Sequence, residues 1–148
     1  MFKHILIPID GSRLAGKAVK AGVRFAKELG ARVTFYHAID VTPAFAAGEF
    51  VTPSVIEQIE TGSHKQALKR LAEAAKAAQA AQAASVPCET LSATPQTAYR
   101  GIVDAVRRKK CDVIFMASHG RGELASLVLG SVTLKVLAHS RIPVLVFR

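Results

Sequence analysis

With 148 residues, half of them hydrophobic, the chain suits one domain (1–148) with a core of its own, although alanine supplies much of that half. A formal charge of +9 would suit nucleic acid, yet no helix-turn-helix, zinc-ligand or aromatic RNA-binding signature accompanies it, so specific nucleic-acid recognition is not expected. The apolar N-terminal run turns polar at Asp10-Gly11-Ser12, too soon for a signal peptide or a membrane span, and a soluble cytoplasmic protein is the expectation.

Strands and helices alternate along the chain. His4 to Ile9 is rich in isoleucine and suits a strand buried on both faces. Ser12 is placed to N-cap a helix whose Ala15, Val19, Gly22, Val23 and Ala26 share a face, and Gly30 ends it. Arg32 to Ile39 reads as a second strand, and a stretch with Pro43, Gly48 and Pro53 as a loop. Ser54 to Ser85 reads mostly as helix with a break at Gly62-Ser63. Its alanine-rich second part, from His64, puts Leu68 and Leu71 on one face and suits a helix covering a sheet. Val86 to Ser92 is a third strand, polar enough for a sheet edge.

Pro95 suits the first turn of a helix reaching about Lys109. The basic run Arg107-Arg108-Lys109-Lys110 falls at its end, where cations complement the helix dipole. Val113 to Ala117 is a fourth strand, Ser131 to Ala138 a helix, and Pro143 to Phe147 a fifth strand. This alternation predicts an α/β fold: an open five-stranded parallel sheet with right-handed crossovers and helices on both faces. Cys88 and Cys111 lack CxxC or Cys/His ligand spacing and read as reduced packing residues, with no metal site expected.

The segment after the fourth strand carries the chemistry. Ser118-His119-Gly120-Arg121-Gly122-Glu123 is followed, after Leu124 to Leu129, by Gly130-Ser131-Val132. Glycines let backbone amides approach an anion, and a Gly-Ser pair opening a helix adds amides, a hydroxyl and the positive end of a dipole. A phosphate-bearing ligand is the natural occupant.

The segment resembles the nucleotide loop of the universal stress protein family, G-x2-G-x9-G-[S/T], here Ala117-x2-Gly120-x9-Gly130-Ser131. Ile5-Leu6-Ile7-Pro8-Ile9-Asp10-Gly11-Ser12 and Ile142-Pro143-Val144-Leu145-Val146 are similar to other stretches of that family, so the resemblance covers nearly the whole chain in order. It implies a Rossmann-like strand order 3-2-1-4-5, with the reversal between strands one and four, where such sheets bind ligands. It further implies binding of ATP or another adenine nucleotide, with or without Mg2+. Pro8, Ala38 and Met116 match positions lining the adenine pocket; on the residues alone all three are core. Asp10, with Gly11 and Ser12, matches a ribose or metal contact, or else a turn that caps the first helix.

Around the phosphates the resemblance places Ala117, Ser118, His119, Gly120, Arg121, Gly122, Gly130, Ser131 and Val132. Ser131 reads equally as a phosphate contact and as the N-cap of the last helix, and Arg121 as a phosphate partner or a solvated loop residue. Two departures weigh against tight ATP binding. Ala117 adds a methyl group where the family has glycine, and Glu123 brings a carboxylate whose repulsion at a partly exposed site is about 1 kcal/mol or more. AMP or ADP are the better-suited ligands.

No Walker A motif or triad spacing accompanies the loop, so no catalytic residue is expected and any ATP hydrolysis should be slow and incidental. The resemblance also implies a homodimer through Val144, Leu145, Val146 and Phe147, an apolar edge that would otherwise invite association. The expected function is a dimeric, nucleotide-responsive regulatory module of the stress response with an unidentified protein partner. The alternatives are a member that acts through protein contacts alone and a weak ATPase.

Overall fold

The computed structural model describes residues 1–39, 75–120 and 129–148, together with positions 62, 65, 69, 72 and 73. The expected loop at Pro43, Gly48 and Pro53, the helix face of Leu68 and Leu71, the expected break at Ser63, and Arg121, Gly122 and Glu123 lie outside the described residues. Gly62 is itself helical.

Strand β1 (His4–Ile9) is followed by helix α1 (Arg13–Leu29), β2 (Arg32–Ala38), β3 (Cys88–Ala93), α2 (Ala98–Lys109), β4 (Val113–Ala117), α3 (Ser131–His139) and β5 (Val144–Phe147). All pairings are parallel, in the order β3-β2-β1-β4-β5. The 3-2-1-4-5 order implied by the resemblance is therefore the observed one, with β1 and β4 meeting where the winding direction reverses.

The alternation of strand side chains divides the core in two. Ile5, Ile7, Ile9, Val33, Phe35, Val113 and Phe115 pack on one face against Ala18, Val19, Val23 and Ala26 of α1 and against Ala77 and Ala81 of the helical residues 75–83. Leu6, Tyr36, Ile114 and Met116 point to the other face, against Ile102, Ala105 and Val106 of α2 and Val136 of α3. Ile5, Leu6 and Ile7 are wholly buried, and burying each such side chain contributes roughly 1.5–3 kcal/mol. A strand buried on both faces reads as a continuous apolar run, which is why the bounds of β1 and β4 fall where the sequence puts them. The described alanine-rich residues cover the sheet as expected.

The ends of α1 also match expectation. The Ser12 hydroxyl accepts from Ala15 N at 3.0 Å, and Gly30 closes the helix in the left-handed conformation at φ 61°. Arg107, Arg108 and Lys109 occupy the last turn of α2, where their charge meets the carbonyl end of the helix.

Elsewhere the bounds shift. β2 ends at Ala38, one residue early, although Ile39 N still bonds to Ala93 O at 2.8 Å. β3 runs Cys88–Ala93 instead of 86–92, because Val86 N is used by Ala81 O to close the preceding helix and Pro87 has no N–H to donate. α2 starts at Ala98, not in the turn of Pro95: Thr97 is the N-cap, and its carbonyl takes the Gly101 amide. Pro95 instead abuts the helix, since a Cβ on Gly101 would lie 2.8 Å from the Pro95 ring. α3 extends one residue beyond Ala138, and β5 begins one residue after Pro143. Both cysteines are free, and burial pushes the Cys111 thiol up to about 11.

At the N-terminal end of the sheet, His4 Nε2 lies 2.7 Å from Thr34 Oγ1, which donates to Glu89 Oε1, whose carboxylate also pairs with Lys109 at 2.6 Å. His4 is buried, and among the described residues its Nδ1 has no hydrogen-bond partner. Desolvation, followed by the nearby Arg32 charge, lowers its pKa, outweighing Glu89 and Asp112. Between that lowered value and the ordinary value of about 6.5, the unfolded chain binds a proton that the folded chain does not. His4 therefore contributes stability that is present above pH 6.5 and lost as pH falls below it. Denaturant midpoints should drop from about pH 7.5 to 5.5, and His4→Gln should flatten that slope; an unchanged slope in the variant would remove His4 as its origin.

Candidate functional site

The β1–β4 ladder is short. Ile5 pairs with Val113 and Leu6 with Ile114, whereas the β1–β2 ladder continues to Ile9. Asp112 N bonds to His4 O at 3.0 Å, so the even-numbered residues of β1 turn their backbone groups toward β4. Pro8 falls on that side and has no N–H to give, which ends the pairing and lets the two strands part. The missing donor thus contributes to the crevice at the reversal point.

A cavity of about 270 Å3 occupies this crevice. Of the sequence-predicted site residues, Pro8, Asp10, Ala38, Met116, Ala117, His119, Gly120, Gly130, Ser131 and Val132 line it. Gly11, Ser12 and Ser118 do not; Arg121 and Gly122 are outside the described residues. Gly11 makes the turn into α1, at φ 81°, and Ser12 caps that helix, so these two act on the site only through Asp10.

Asp10 serves the turn as well as the cavity. Its Oδ1 accepts from Ser12 N at 2.8 Å, and its Oδ2 points toward the loop after β4. A Cβ on Gly120 would lie 2.5 Å from that oxygen, so a larger residue there would push the Asp10 carboxylate aside. Ser118 ties the loop down: its amide donates to Phe147 O at 2.7 Å, its carbonyl accepts from Gly130 N at 2.8 Å, and its hydroxyl lies 3.0 Å from His119 Nδ1. At 2% exposure Ser118 orients His119 and presents no nucleophile to the cavity.

α3 points its N-terminus at the cavity. The N-cap is Gly130, at φ −62° and ψ 152°, and Ser131 is the first helical residue, which corrects its reading as the cap. The first intrahelical bond runs from Leu134 N to Gly130 O at 2.9 Å, so Val132 and Thr133 have no acceptor within the helix for their amides. Thr133 Oγ1 anchors the turn by donating to Ala117 O at 3.1 Å. The opposite wall is apolar, with Pro8, Ala38 and Met116 joined by Ile9, Ala15, Tyr36, Ala98 and Ile102.

These last five and Thr133 were missed from sequence. Ile9 and Ala15 flank Asp10 and were assigned wholly to the core. Tyr36 lies in a run buried on both faces, where periodicity carries no signal. Ala98, Ile102 and Thr133 reach the cavity only through the crossovers. Among the described residues no cluster of three or more His, Cys, Asp or Glu could hold a metal ion. No helix there is long and apolar enough to cross a membrane.

The sequence profile of the universal stress protein family matches residues 1–148. Universal stress protein YxiE of Bacillus subtilis is 32% identical over 152 residues, covering all of both chains. The solved structure of hypothetical protein MJ0577 is 27% identical, with a TM-score of 0.80 over 99% of this chain and 95% of its own. A universal stress protein from Archaeoglobus fulgidus, solved in complex with dAMP, shares the fold at a TM-score of 0.64 and 16% identity, over 100% of this chain and 98% of its own.

Proposed function

The chain belongs to the universal stress protein family, and on that premise we propose that it is an adenine-nucleotide-binding, dimeric regulatory module of the cytoplasmic stress response and not an efficient enzyme. The observation that carries this reading is the cavity between β1 and β4, with an apolar wall at one side and the N-terminus of α3 at the other. A base needs the first and a phosphate the second. That a family neighbour is known in complex with dAMP adds support for the ligand class.

The residues fit such a ligand. Pro8, Ala38 and Met116 receive the adenine, the first-turn amides of α3 donate to phosphate oxygens, and the Ser131 hydroxyl reaches the same group. Asp10 belongs at the ribose: one of its oxygens is held by the Ser12 amide, and a carboxylate would repel a phosphate placed there. The volume, about 270 Å3, is at the small end of ligand pockets, roughly 300–1,000 Å3. Base and ribose fill it and leave a phosphate chain at the mouth, so AMP and ADP bind at least as well as ATP. Any Mg2+ would arrive with the phosphates.

Mass spectrometry of nucleotides released by denaturing the purified protein tests the reading, together with calorimetry against AMP, ADP and ATP. An adenine nucleotide should be recovered, or heat detected with at least one of the three. No signal at about millimolar ligand would leave the protein acting through protein contacts alone.

Ala117 lines the cavity with a methyl group that a glycine would lack, and Glu123 is three residues past Gly120 in sequence. Ala117→Gly combined with Glu123→Ser should tighten ATP binding about tenfold, or about 1.4 kcal/mol. Unchanged calorimetric affinity would show that neither residue limits binding.

A further inference from the structure

A second concave surface, of about 420 Å3, lies between α2 and the end of α3 and shares no lining residue with the cavity between β1 and β4. Arg100 and Arg107 border it from α2, His139 and Arg141 from α3 and the turn after it. One carboxylate, Asp104, faces these three guanidinium groups. Its pairing with Arg107 is long, at 4.0 Å, and both side chains are well exposed, so the pair neutralises little. Arg100 is held by Gln96 Oε1 at 3.1 Å and by the Tyr99 hydroxyl at 3.2 Å, both neutral partners, and Arg141 has no partner among the described residues. Cations have been gathered around a groove with too few anions to balance them.

We propose that this groove binds a linear phosphate chain, the chemistry of inorganic polyphosphate. Guanidinium groups match phosphate oxygens in a bidentate fork, and three of them favour a ligand with several phosphates over one. Arg100 and Arg107 are seven residues apart on one helix, about 10 Å by its rise per residue. With their attachment points that far apart, a chain of phosphates can offer each guanidinium a phosphate of its own, which a single phosphate cannot. A nucleic acid is the less suitable occupant, because the aromatic surface a base would stack on is already engaged. The Tyr99 ring lies against His139 at 4.9 Å between centroids and carries the Lys135 ammonium at 5.7 Å. The proposal is independent of what fills the other cavity.

The test is calorimetry with inorganic tripolyphosphate at about 0.15 M salt, where delocalised surface attraction is largely screened. Wild-type protein should bind, and Arg100→Ala/Arg107→Ala/Arg141→Ala should weaken binding about tenfold or more. A charge-matched control, Lys17→Ala/Lys20→Ala/Arg24→Ala on the exposed face of α1, should change it by less than about twofold. Affinity should fall from tripolyphosphate to pyrophosphate to orthophosphate. Equal losses in the two triple variants would overturn the proposal in favour of net charge, as would no binding by wild type at about millimolar ligand. Orthophosphate binding as tightly as tripolyphosphate would also overturn it. So would a single-stranded oligonucleotide that outcompetes a polyphosphate of equal charge. Circular dichroism checks the fold of each variant. Arg141→Ala alone, in the turn after α3, gives a milder variant that should still lose about threefold.

Discussion

Gly130→Asp is expected to abolish adenine-nucleotide binding while leaving the protein as stable as before, or slightly more so. The two halves of this expectation come from one position. Gly130 is the N-cap of α3, and its φ of −62° is open to any residue, so aspartate enters without backbone strain. Aspartate is also among the best N-cap residues, better than glycine by a few tenths of a kcal/mol. Its side chain can take the amide of Val132 or Thr133, which glycine leaves without an acceptor in the helix. That same carboxylate would stand where the phosphate is proposed to sit. Two unit charges about 4 Å apart near a protein surface repel by roughly 4 kcal/mol, close to a thousandfold in affinity. Calorimetry should therefore register no nucleotide heat, while the thermal midpoint holds or rises slightly. Affinity within tenfold of wild type would remove the phosphate from α3 and with it the proposed pose. A collapsed midpoint would mean that the substitution disturbs the bond from Gly130 N to Ser118 O, and a Gly130→Ser variant would then replace it.

How far such a site can be read from the chain depends on what positions each residue. β1, α1 and β4 were legible residue for residue. Their strands are buried on both faces, and α1 carries a serine cap, a single apolar face and a terminal glycine. β3 was misjudged at both ends because an edge strand is bounded by its register with β2, where Val33 pairs with Cys88 and Ala38 with Ala93. Pro87, just before the first bound, is the one side-chain signal there, and the second bound has none. The order of the sheet came from resemblance, since periodicity says which faces are buried and nothing about which strands adjoin. The site shows the same division. Asp10, Gly120 and Gly130 stand out as polar or glycine residues that interrupt apolar runs. Tyr36, Ile102 and Thr133 are ordinary core and helix residues until the crossovers bring them to the crevice. Pro8 was read only as a family position, and its missing donor gains meaning once β4 is known to be the neighbour on that side.

The second large effect expected is conversion of a dimer to a monomer by Val146→Lys. β5 is a sheet edge, paired with β4 on one side only, and Leu145 is 38% exposed on it. Leu134 and Leu137 of α3, the preceding element in the chain, are 48% and 40% exposed. An open strand edge that carries an exposed apolar side chain favours association. The described part of the alanine-rich helix cannot shield this edge. Its Ala78 carbonyl accepts from the Cys88 thiol on β3, at the far side of the sheet. In a two-fold arrangement each copy's Val146 would meet the other's strand, so lysine removes two buried side chains and sets two like charges close together. At about 1.5 kcal/mol or more for each lost burial, the total is roughly 3 kcal/mol, or a hundredfold in the dissociation constant. The monomer should tolerate the change, because Val146 is only partly buried and a lysine stem can lie along Met116, its neighbour in register, with the ammonium in water. Light scattering across a concentration series should show wild type as a dimer and the variant as a monomer with unchanged circular dichroism. Wild-type protein that stays monomeric at tens of micromolar would end the dimer reading.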